Sequence, residues 1–285
     1  MTTHVLLGGA AAISTDSAWR RFSHASPALA WAGAAFLATS VLLLLPMAID
    51  ARQWQGVSTW LKPWKFNVSL AIQMLTFALF AHALAPEARR RTGTRVWMGL
   101  AIAIAVAESA YITAMAGLNL GSHFNKATPT LAVAYAVMGV GAVLLSMSGA
   151  ALGIQIARFP RPGLSPVLRW GLALALVLGW LLGTTTGAAM SSHVNHWVGG
   201  IASDAVGLPL LGWSRLGGDL RPPHFIGVHA TQAVALAAWW LHRRARPPGD
   251  VRRALLGTAT FATLWSLLAL ALFAQAMAGR PLWAA

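Results

Sequence analysis

Apolar stretches of about 20 residues recur along the whole chain, separated by short polar segments. Each is long enough to cross a hydrocarbon layer about 30 Å thick. Seven are counted, at residues 28–49, 67–85, 96–118, 130–157, 168–190, 225–242 and 254–278. Lipid offers the backbone no hydrogen-bond partner, so such segments must be helices. The pattern predicts an all-α polytopic membrane protein, a seven-transmembrane-helix bundle. Residues 1–27 read as an N-terminal cytoplasmic or interfacial segment leading to Arg20 and Arg21, and 28–285 as one membrane domain. Its outer loops are expected at 50–66, 119–129 and 191–224.

The polar segments fall into two kinds. One set is short and arginine-rich: "PEARRRTGTR", "RFPRPGLSPVLR" and "RRARPPGDVRR". With Arg20 and Arg21, these ends carry 14 of the 21 basic residues. The positive-inside rule puts them in the cytoplasm, with the N-terminus, and puts the C-terminus outside. The expected location is the plasma (inner) membrane of a bacterium, with the functional face extracytoplasmic. The other set, "DARQWQGVSTWLKPWKF", "LGSHFNKATPT" and "SSHVNHWVGGIASDAVGLPLLGWSRLGGDLRPPH", holds nearly all the chemically able side chains.

Composition supports the same picture. The chain is 57% hydrophobic and 10% charged, against about 45–50% and 25% in soluble domains. A net charge of +14 would suit nucleic acid, but its confinement to short clusters between apolar spans is a topology signal instead. Cysteine is absent, which excludes disulfides, thiolate metal sites and thiol nucleophiles.

Candidate chemistry concentrates at the outer ends. His193 and His196 are three apart and share a face if their helix continues. His123 follows the third span at a matching depth, in a Ser-His-x-Asn pattern that recurs at His193. Glu108 lies well inside the third span, where an acid is costly unless neutral, paired or facing a cavity. Met115 and Asn119 fall on roughly its face, leading towards His123. His224 and His229 flank the start of the sixth span and, five residues apart, point to different sides. His229 and Gln232 are expected to face inward. Asp219 and Arg221 are placed to pair or to anchor the loop, and Asp219 to orient a histidine. Arg215 and Arg221 suit an anion. Lys62 and Lys65, with Trp60 and Trp64, form an aromatic–basic element in which Pro63 argues against a long regular helix.

These residues predict an outward-facing pocket binding haem or a divalent transition metal (zinc, iron or copper). Its shell would come from Glu108, His123, His193, His196, His224 and His229. Glu108 and His229 are the candidate catalytic groups; Lys62, Lys65, Asn119, Arg215, Asp219, Arg221 and Gln232 would bind substrate. The chemistry would be redox or metal-assisted, on a quinone or a lipid drawn from the membrane. Two alternatives remain open. One is a metal-free lipid hydrolase or transferase using histidine as base or nucleophile, with lysine and arginine on phosphate. The other is a transporter, sensor or assembly factor.

Overall fold

A computed structural model describes residues 18–245 and 249–284. The segment before Ala18 lies outside these residues, as does Arg246. The described chain is mostly helical. A short α1 (Ala18–Ser23) leads into α2 (Pro27–Leu42) and α3 (Leu44–Ile49). Then follow α4 (Leu61–Phe80), extended by one 3₁₀ turn to Ala83, α5 (Pro86–Arg90), α6 (Thr92–Gly117), α7 (Pro129–Arg158), α8 (Pro166–Ser192), α9 (Arg221–Arg244) and α10 (Asp250–Met277). Six helical segments are long and apolar enough to cross a membrane. The exception among the long helices is α9, the least apolar of them.

Local chemistry explains most boundaries. Thr128 and Ser165 cap α7 and α8: each hydroxyl accepts the backbone N–H three residues on, with proline at the first helical position, where its missing N–H costs nothing. The first expected span breaks at Leu43, because Pro46 clashes with the carbonyl of Leu42 four residues back. The second begins at Leu61 rather than 67, so Lys62 and Lys65 sit on a helix and not in an outer loop. Pro63 lies in the first turn of that helix, where proline is tolerated, so it does not prevent a regular helix of 20 residues.

The helices pack in the spatial succession α2, α4, α6, α7, α8, α9, α10, with α10 also touching α8. On α4, Met74 and Phe77 are fully buried, and they share one core with Leu152, Leu176, Ala230 and Val234. Lipid tails are as apolar as leucine, so helix association here depends on close backbone approach. Gly171, Ala175, Gly179 and Gly183 recur every four residues along α8. A Cβ at Gly179 would fall 2.1 Å from Thr231 Oγ1, and one at Gly171 2.3 Å from the Ala238 Cβ. This stripe seats α9 against α8 and buries one face of the least apolar long helix, with Ala230, Val234 and Ala238 fully buried. The outer face of α7 exposes Val133, Val137 and Val140, as lipid contact requires.

The two ends of the bundle gather different segments. At one end, the backbone of Leu84 bridges Pro160, and His82 packs edge-on against His24. At the other, Gln53–Trp54 and Val57–Ser58 form a hairpin whose turn residues, Gln55 and Gly56, both have positive φ, as a two-residue hairpin turn demands. Trp54 of this hairpin packs on Gly121, Gly56 approaches Ala205, and Asp204 N–H donates to Gln55 O at 3.0 Å. Asp50 anchors the approach to α4, accepting hydrogen bonds from Arg52 and from Trp60 Nε1. These bonds hold its carboxyl well below the usual carboxylate range.

Candidate functional site

The hairpin end is sealed by the segment 193–220, which carries its own antiparallel pair, Trp197–Val198 with Gly218–Asp219. Gly218 is required there, since a Cβ would lie 2.0 Å from Ala276 O of α10. Helix α8 ends at Ser192, and Val194 turns to a φ of 52°. The helix therefore does not continue through His196, and the two histidines part. His193 is left exposed, whereas Asn195 Oδ1 accepts the N–H groups of His196 and Trp197 and turns His196 inward.

Arg221 is the centre of the segment. Its guanidinium reaches Asp219 (Nη2–Oδ2 2.6 Å, Nε–Oδ1 3.0 Å), Asp204 (Nη2–Oδ1 2.9 Å, Nη1–Oδ2 3.1 Å) and the carbonyl of Gly212. Asp219, almost wholly buried, also accepts the N–H groups of Ser214 and Arg221. The expected pairing of Asp219 with Arg221 is present. Arg221 is held by two carboxylates and a backbone carbonyl, and it orders the loop. Arg215 points elsewhere, to the carbonyl of Ala284.

The Asp204 carboxylate also lies 3.7 Å from His196 Nε2, which is buried and has no hydrogen-bond partner among the described residues. Burial alone would raise the Asp204 carboxyl, but the nearby His196 imidazole and the bonds from Arg221 outweigh it and hold it below the ordinary range. Burial lowers the His196 imidazole, and Asp204 opposes that effect. His123 is pushed down to about 3 by burial, with the charge of Lys62 adding to the effect. His196 and His123 both approach Phe124, with ring centroids 6.2 and 6.4 Å from it. Phe124 has a φ of 58°, a conformation that costs a bulky residue of order 1–3 kcal/mol. Tyr135 packs on Phe124 at 5.5 Å, and its hydroxyl bonds Ser191.

Lys62 and Lys65, from the first turns of α4, complete this group. Both lie within electrostatic reach of Arg221 and Asp204. Lys65 Nζ donates to Leu211 O at 3.2 Å, whereas Lys62 is exposed. Three cations, Lys62, Lys65 and Arg221, face two carboxylates, Asp204 and Asp219, so the group keeps one net positive charge while the histidines are neutral.

The other expected site residues lie apart from it. His224 Nδ1 bonds Thr186 on α8 at 3.0 Å. His229 Nδ1 bonds Phe225 O and stacks on the Phe225 ring, while Gln232 turns inward to Thr76 at 3.3 Å. Of the expected inward pair, only Gln232 makes a bond across the bundle. Glu108 is buried against Gly141 of α7, and its Oε1 has no hydrogen-bond partner among the described residues. Asn119 leaves the Glu108 face because it lies beyond the helix end with a φ of 55°. The expected six-residue donor set is thus not gathered at one point. Among the described residues no group of three or more His, Asp or Glu side chains is placed to hold a metal ion.

Asp204, Phe124, Tyr135 and Trp197 join the site without having been singled out for it from sequence. Asp204 carried a usable signal, as one of only seven acids in the chain. The aromatics carried none, because membrane proteins place many such residues at interfaces. No family model matches the chain, and neither does any curated protein or solved structure.

Proposed function

We propose that this chain crosses the membrane seven times, α9 included, and that its hairpin end faces outward from a bacterial inner membrane. The reading is supported by the gathering of segments 50–60, 118–128, 193–220 and 278–284 at one end, and by the arginine clusters at the other. Helix α9 has 24 residues, about 36 Å at 1.5 Å per residue, which is long enough to cross. Its polar groups are accommodated by packing against α8 instead of lipid.

We further propose that the hairpin end binds an anionic molecule from the membrane and acts on it without a metal or haem. The observation that carries this is the grouping of Lys62 and Lys65 with the His196–Asp204 pair. All three lysines of the chain, against 18 arginines, lie in the segments at this end. A compact ammonium is a phosphate or carboxylate ligand; of the three cations only Arg221 is held by carboxylates, while Lys65 donates to a backbone carbonyl and Lys62 is exposed. His196, lowered by burial, is neutral at pH 7 and able to accept a proton. Asp204 then stabilises the resulting imidazolium. In a hydrolysis, His196 would take the proton of the attacking water as its oxygen bonds to the acyl carbon or phosphorus. The departing alkoxide would then recover a proton from the imidazolium. This is the chemistry of a lipid hydrolase or transferase.

The probe is a short-chain phosphatidate added to the purified protein in detergent. It should raise the melting temperature of wild type, and K62A/K65A should lose most of that shift. H196Q and D204N should retain the shift and lose phosphate release. An unchanged shift in K62A/K65A would remove the lysines from the site; unchanged turnover in H196Q would remove the proton-transfer role.

A further inference from the structure

An apolar groove of about 640 Å³ lies at the arginine-rich end, far from the hairpin cluster along the helix axes. Ala233, Leu236, Ala237 and Leu241 of α9 line it, and Gly257 and Phe261 of α10 form the facing wall. Gly257 keeps it open: a Cβ there would lie 3.1 Å from Leu241 Cδ1. From Ala233 to Leu241 the groove runs about 12 Å along the helix, close to the roughly 15 Å of hydrocarbon in one leaflet.

Cations crown its mouth. The Arg244 guanidinium stacks on Trp240 at 3.8 Å and Arg243 on Trp239 at 5.4 Å. Both arginines are exposed, and neither pairs with a carboxylate among the described residues. Stacking on indole leaves a guanidinium's in-plane N–H groups directed outward, which is the geometry that grips a phosphate. Arg252 and Arg253 at the start of α10 are exposed at the same end. An acyl-chain-sized apolar slot, one leaflet deep and topped by two stacked arginines, matches the two parts of a phospholipid.

We propose that this groove is a binding site for an anionic diacyl phospholipid of the leaflet at the arginine-rich end. One acyl chain lies between α9 and α10, and the phosphate sits at Arg243 and Arg244. Uniform lipid contact, as along Val133, Val137 and Val140 of α7, has no such crown and would not select head-group charge. The site does not depend on the chemistry of the hairpin cluster.

The test is native mass spectrometry in the K62A/K65A background, which separates it from head-group binding by those lysines. The protein is equilibrated with equal amounts of phosphatidylglycerol and phosphatidylcholine. One phosphatidylglycerol should be retained in preference to phosphatidylcholine. R243Q/R244Q should reduce that preference roughly tenfold or more, since each basic residue contributes of order 1 kcal/mol near an anionic surface. A237F, which fills the groove without touching the arginines, should lower retention of both lipids. Equal retention of the two lipids, or undiminished preference in R243Q/R244Q, would overturn the site. So would a dimer that carries no lipid and dissociates in A237F, since a second copy would then be the occupant.

Discussion

Replacing Asp219 with alanine removes the acceptor around which segment 193–220 is wound. The lost contacts are the bond from Ser214 N–H at 2.8 Å, that from Arg221 N–H at 2.9 Å, and the charge-assisted contacts from the Arg221 guanidinium. Removing one member of a buried ion pair costs about 3–5 kcal/mol when the partner is left alone. Arg221 is not left alone, because Asp204 and Gly212 O still hold it. The main loss is therefore the buried Ser214 N–H without an acceptor, at about 1–3 kcal/mol, plus part of the charged bonds. About 3 kcal/mol is expected, which for a chain of this size is a melting shift of roughly 6–12 °C. Size-exclusion chromatography of heated, detergent-solubilised samples measures it. Limited trypsinolysis at Arg215, partly shielded in the folded loop, gives a local readout. A D219A protein that melts within a degree or two of wild type, with no new cleavage at Arg215, would refute this account of the loop.

Three further outcomes follow from other parts of the molecule. G179V should separate α8 from α9, because even a Cβ at that position meets Thr231 Oγ1 at 2.1 Å; overpacking of this kind costs about 1–3 kcal/mol or more, and a wild-type melting curve would contradict the glycine seam. His123 titrates at about 3 in the folded chain and at about 6.5 unfolded, so between those values the unfolded chain binds more protons and stability rises with pH. Acidifying from pH 7 to 5 should therefore lower the melting temperature, with His196 acting in the same direction, and H123Q/H196Q should flatten the slope; an equal slope in that variant would exclude these histidines as its source. Finally, if the hairpin end acts without a metal or haem as proposed, the purified protein should show no Soret band and no stoichiometric zinc, iron or copper, and either signal would restore a bound cofactor.

The helices and their approximate limits were legible in the sequence because a bilayer imposes a length and an apolar composition on any segment that crosses it. The spans expected from residues 130 and 168 match α7 and α8, which begin at Pro129 and Pro166, and the Asp219–Arg221 pairing followed from proximity along the chain. The segregation of reactive side chains into three polar segments was likewise visible in the order of residues along the chain. What those segments do with the residues was not. His196 parts from His193 because the helix stops at Ser192, and Val194 takes a left-handed conformation that no periodicity encodes. Asp204 becomes the partner of both Arg221 and His196 only because the 193–220 segment folds back over the hairpin at Gln55 and Gly56. Lys62 reaches that group because α4 begins a turn and a half earlier than its apolar run. A sequence determines which faces and lengths are compatible with lipid, since those depend on neighbours a few residues away. Which polar side chains meet depends on helix order and loop path, with contacts made across as many as 156 residues, and only the tertiary structure decides them.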